Sequence, residues 1–206
     1  VVIFVLSTDN APARPELAPV YGLPFFALAL FVYYLICVRL YRRARIVSAG
    51  RYFSVERRLS ILALLFFIFS LFFLDLKYYF HPLSLNGRLP VLENIGGLGI
   101  FFVFLAMMWI RARQPYEILF RRSYSRASFV VSHIKINLPI ILPWLILSLV
   151  FDLLGLLSVD GFQQALNSPW GDVFLFFIFV LFLVLFFPPL VRWLWNCKPM
   201  PQGRLR

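Results

Sequence analysis

The sequence predicts an all-α fold, a polytopic bundle of membrane-crossing helices, on three observations. Of its 206 residues 62% are apolar, against about 45 to 50% in soluble domains, and the mean hydropathy is +0.85. These apolar residues gather into five long runs. Seventeen of the twenty Lys and Arg residues lie after the first, third and fifth runs, which is one side of a bilayer if each run crosses it.

A span needs about 20 apolar residues to cross roughly 30 Å of hydrocarbon at about 1.5 Å per residue. Five are predicted, at residues 21–40, 59–79, 95–110, 136–157 and 173–191, within a single membrane domain covering residues 1–206. The opening VVIFVL, followed by a polar, proline-rich stretch, is too short to span; it fits the end of an earlier helix best, with the tail of a signal peptide or a short buried strand as alternatives. Span one carries Pro24 in its first turn, where a missing N–H costs nothing, and ends in Arg39, Arg42, Arg43 and Arg45, with Arg51, Arg57 and Arg58 to follow. Span two closes on Asp75, Lys77, Tyr78 and Tyr79, and residues 81–93 (HPLSLNGRLPVLE) form a loop rich in turn formers.

Span three opens on Gly96, Gly97 and Gly99, small residues that admit close packing, and closes on Trp109 beside Arg111. Residues 116–135 are then predicted as one amphipathic helix begun by Pro115. Tyr116, Leu119, Phe120, Tyr124, Val130 and Ile134 share a stripe, with Arg121, Arg122 and Arg126 off it. Such a helix suits the headgroup layer, its cations near anionic lipid; a cytoplasmic helix packed on the rest of the protein is the alternative. Span four has Pro139 and Pro143 in its first half, which should bend it. The following loop, residues 158–172, has no Lys or Arg, and span five (VFLFFIFVLFLVLFF, then Leu190 and Val191) is expected to stop at Pro188 and Pro189. Residues 192–206 form a basic, aromatic connector.

The charge partition places the C-terminus in the cytoplasm of a multi-pass protein. The cations divide among loops instead of forming one soluble patch, so the lipid bilayer, anionic lipids included, is the expected partner and nucleic acid is not. Trp109, Trp193 and Trp195, with Arg121, Arg122 and Arg126, are the expected interface anchors. Cys37 and Cys197 both fall on the cytoplasmic side, where thiols stay reduced.

No H-E-x-x-H, G-x-S-x-G, G-x-x-x-x-G-K or C-x-x-C motif occurs. The topology puts His81 outside and His133 inside, so the two cannot share a metal, and no spacing joins His133 to Cys37 and Cys197. No catalytic, cofactor-binding or metal-binding residue is therefore expected in this chain. The intramembrane polar candidates are Asp152, Asp75 and Lys77, all near span ends, where long side chains can snorkel to water.

The run PPLVRWLWNCKPMPQGRLR, residues 188–206, resembles the juncture after the N-terminal membrane helices in bacterial HtpX-like, CAAX-prenyl-protease-type integral-membrane zinc metallopeptidases. The resemblance covers about twenty residues closely. It implies the membrane-anchoring domain of a zinc endopeptidase in a bacterial inner membrane, inactive alone, with zinc and its ligands in a catalytic domain beyond Arg206. Two other classes fit the same elements: a transmembrane sensory input module of a signalling protein, and a non-catalytic scaffold subunit of a membrane complex.

Overall fold

Apolar runs of this length become helices because a helix pairs its interior backbone groups within the segment and leaves only side chains to meet the surroundings. The computed structural model describes residues 2, 6, 18–43, 48–85, 87–156 and 171–195, and every regular element among them is helical. In chain order these are α1 (Pro19–Arg43), α2 (Ala49–Phe73), a short α3 (Leu76–Phe80) running into a 3-10 turn (His81–Ser84), α4 (Pro90–Phe120), α5 (Arg126–Leu156) and α6 (Gly171–Leu194). The chain divides into two compact units, Val1–His133 and Ile134–Arg206.

Three helices among the described residues are long and apolar enough to cross a membrane: α1 over Pro19–Arg42, α4 over Pro90–Phe120 and α5 over Arg126–Leu153. A fourth span exists only if α2 and the α3 segment, bent by 76° at their junction, count as one. Among the described residues the expected five spans are not confirmed. In the region of the fifth, the apolar helix among the described residues is the shorter Val180–Leu194.

Element ends depart from expectation where local hydrogen bonding overrides the hydrophobic pattern. α2 starts ten residues before the predicted span because Ser48, in extended conformation, caps it: its Oγ accepts Arg51 N at 3.4 Å. It breaks early because Leu74 and Asp75 leave helical geometry, Asp75 adopting the left-handed region at φ 46° that a short polar side chain tolerates.

The single amphipathic helix predicted over residues 116–135 is not formed. Its first five residues end α4, which runs straight through Pro115, and its last ten begin α5. The break lies at residues 121–125, where Arg121 takes φ 53° and Ser125 caps α5, its Oγ accepting Ser128 N at 3.1 Å. Nor do Pro188 and Pro189 stop α6. Both lie inside it, and Trp195 N still donates to Val191 O at 3.0 Å beyond them. Helices in an apolar setting tolerate proline because neighbouring groups re-satisfy the freed carbonyls. Pro139 and Pro143 are likewise interior to α5.

In the first unit α4 is the central element, packing against α1, α2, α3 and the 3-10 turn. Its fully buried Phe104 meets Phe26 and Tyr33 of α1 edge to face and Phe66 of α2 at 6.0 Å. The Tyr33 hydroxyl donates to Leu59 O at 3.2 Å, tying α1 to α2 beside that ring. Two of the three glycines of α4 are close-approach positions. A Cβ on Gly96 would stand 2.6 Å from the Phe80 ring, and one on Gly97 would stand 2.5 Å from the Leu6 side chain, whereas Gly99 faces open space. In the second unit, Pro143 and Ile146 of α5 and Phe182, Phe186 and Pro189 of α6 line an apolar hollow of about 260 Å³, with Trp193 at its edge.

Candidate functional site

The chain reverses between α3 and α4 through two left-handed residues, Leu85 (φ 55°) and Gly87 (φ 84°), so that the 3-10 turn folds onto the first turn of α4. Glu93, its side chain 7% exposed, is the centre of what results. Its Oε1 accepts His81 Nδ1 at 2.8 Å and Ser84 Oγ at 2.6 Å. Ser84 Oγ also lies 2.7 Å from His81 O and accepts Gly87 N at 2.9 Å. One hydroxyl proton cannot serve both oxygens, so the Glu93 carboxyl group and the His81 carbonyl compete for it. A carboxyl group in the first turn of a helix also meets unpaired N–H groups and the positive end of the dipole.

This is a clasp and not a nucleophile–base pair. Ser84 is fully buried, and its hydroxyl and the His81 imidazole both meet the same Glu93 oxygen rather than each other. Nearby, Lys77 Nζ donates to Leu6 O at 2.8 Å.

At the other end of the same helices, the end of α4, the start of α2 and the first turns of α5 enclose an aromatic cluster. Tyr116 is its hub, with ring centroids 5.8 Å from Tyr52, 4.5 Å from Phe120, 6.0 Å from Tyr124 and 5.2 Å from Phe129. Side chains of α4 hold the turn that leads into α5: Arg113 Nη1 donates to Tyr124 O at 2.9 Å, and Glu117 Oε1 accepts Tyr124 N at 2.7 Å. His133 Nδ1 donates to Phe129 O at 2.9 Å, and its Nε2 lies 3.9 Å from Glu56 Oε1. Each histidine thus has a glutamate, Glu93 and Glu56, that sequence spacing did not reveal.

The predicted site residues fare unequally. Trp109 is not at a surface: it is 3% exposed, with its ring 5.2 Å from His133, because the close of the predicted span is interior to a longer α4. Lys77 does not snorkel to water, being 5% exposed and hydrogen-bonded to Leu6 O, because α3 turns back on α4. Asp75 is half-buried at the α2–α3 break and Asp152 half-buried in α5. Trp193 and Trp195 are exposed, as are Arg121, Arg122 and Arg126 at and after the α4–α5 turn.

No family model, curated protein or solved structure matches this chain. Among the described residues no group of three or more His, Cys, Asp or Glu side chains is placed to hold a metal ion. Cys197 and most of the connector that carries the peptidase resemblance, residues 196–206, lie outside the described residues, as do residues 157–170 and most of residues 1–17. The clasp could have been sought through Asn86-Gly87, a strong turn signal, with His81 and Glu93 on either side of it.

Proposed function

We propose that this chain is a multi-pass membrane anchor that carries its C-terminal segment on the cytoplasmic face of a bacterial inner membrane. The observation that carries the reading is the surface of the long helices. Phe31 (57% exposed) on α1, Leu65 (55%) on α2 and Ile140 (67%) on α5 stand among many large apolar side chains turned outward. A soluble protein rarely leaves so much contiguous apolar surface uncovered, and lipid tails cover it without cost. The alternating distribution of Lys and Arg supports the orientation.

The likeness of residues 188–206 to the juncture of HtpX-like zinc metallopeptidases supports a narrower form of the proposal, in which the cargo is a zinc endopeptidase domain. The chain then supplies attachment and a lipid-level position, and the metal chemistry belongs to the cargo. A soluble reporter joined after Arg206 is expected to sediment with membranes and resist alkaline carbonate, and the purified chain to carry no stoichiometric zinc. Release of the reporter by carbonate overturns the anchor, and one tightly bound zinc per chain overturns the division of labour.

A further inference from the structure

Between the C-terminal half of α1 and the last turns of α4 lies a cleft of about 320 Å³ in the first unit. Its walls differ in kind. Arg42, Arg111 and Gln114 supply polar atoms, while Val38, Pro115 and Ile118 supply apolar ones, and among the described residues no acidic one lines it. Two wall residues carry buried polar atoms without a hydrogen-bonding partner among the described residues: the Tyr41 hydroxyl, on a residue 9% exposed, and Arg111 Nε. The Arg111 guanidinium lies 4.7 Å over the Tyr34 ring, a cation–π contact that fixes its plane without using its N–H donors. Arg113, at the same end of α4, is by contrast already engaged by Glu117 and Tyr124.

Uncompensated positive charge in a partly enclosed cleft calls for an anion. Two guanidinium forks and an amide match the tetrahedral oxygens of a phosphate, to which arginine donates in pairs. On the membrane-anchor reading, on which this inference rests, the cleft sits at headgroup depth. α4 has 31 residues, about 46 Å at about 1.5 Å per residue, so it outruns roughly 30 Å of hydrocarbon, and Arg111 is the first cation after its apolar stretch. The apolar wall then continues toward the acyl region.

We propose that this cleft binds a phosphate group through Arg42, Arg111 and Gln114, the group belonging to an anionic phospholipid headgroup or to a free phosphate.

The test uses the full chain in neutral maltoside micelles, with radiolabelled dioleoyl phosphatidic acid as probe and inorganic phosphate as competitor. Saturable binding of one lipid per chain is expected, weakened about ten-fold or more in Arg111→Gln and in Gln114→Glu, as loss of a charge-assisted contact or insertion of a like charge requires. Gln114 is exposed, so its variant does not depend on a buried site. The paired substitution Arg57→Gln with Arg58→Gln, exposed on α2 and outside the cleft, is expected to leave affinity unchanged. Competition by inorganic phosphate assigns the site to free phosphate, and failure to compete assigns it to lipid. Absence of saturable binding, wild-type affinity in both cleft variants, or equal loss in the α2 variant overturns the inference. A chain that resists carbonate yet fails here leaves the anchor standing, so the two failures are distinguishable.

Discussion

Replacing Phe104 with alanine is expected to lower the free energy of unfolding in detergent by about 2 kcal/mol. The ring is fully buried where α4 meets Phe26 and Tyr33 of α1 and Phe66 of α2, so its removal leaves a hole among packed rings. In water, removing such a ring costs both its transfer out of water and the cavity left behind. In a membrane or micelle the unfolded state also buries the ring in hydrocarbon, so the transfer part largely vanishes and the packing part remains. At about 24 cal/mol per Å³, a hole of roughly 100 Å³ gives the figure above. Phe31→Ala is the contrasting substitution. That ring is 57% exposed, faces hydrocarbon in both states on the anchor reading, and should change stability by less than about 0.5 kcal/mol. Denaturant titration of both variants by circular dichroism checks the pair, and equal losses contradict this account of the core.

Glu93→Ala should cost about 2 to 3 kcal/mol by the same titration. Hydrogen bonds to charged or strongly polar partners contribute about 1.5 to 3 kcal/mol each, and the loss is greatest when a buried partner is left unpaired. Ser84 can turn its proton to the His81 carbonyl 2.7 Å away, and His81, 42% exposed, can reach water, which keeps the cost below that of a fully buried pair. Glu93→Gln preserves the acceptor for both donors and should lose about 1 kcal/mol. A double-mutant cycle with His81→Ala isolates the coupling, expected at about 1 kcal/mol. A coupling of zero shows that the 2.8 Å contact contributes nothing to the α3–α4 junction.

The helical class was legible because long apolar runs admit no other economical backbone arrangement. Their ends were less so. Ser48 and Ser125 each cap a helix start through one side-chain bond, Ser48 in the arginine-rich stretch ahead of the predicted second span and Ser125 inside the stripe that reads as one helix. The periodicity through residues 116–135 is real, yet Arg121 in a left-handed conformation divides it, held by Arg113 and Glu117 gripping both backbone groups of Tyr124. Pro115, Pro188 and Pro189 read as boundaries by the rules for soluble helices but are interior here. The pairing of His81 with Glu93 depends on the fold-back at Leu85 and Gly87, and that of His133 with Glu56 on the packing of α5 beside α2. Neither is a property of local spacing. The burial of Trp109 was hidden for the same reason, since Trp next to Arg at the close of an apolar run is also the pattern of an interface anchor.

The central claim is that these helices cross a bilayer with their arginine-rich ends in the cytoplasm. The most direct measurement is labelling by a membrane-impermeant maleimide of single cysteines at positions 50, 86 and 164, on a background in which Cys37 and Cys197 are serine. Labelling of positions 86 and 164 from outside, with position 50 reached only after permeabilisation, is the predicted result. The reverse pattern, or all three positions on one side, would contradict it.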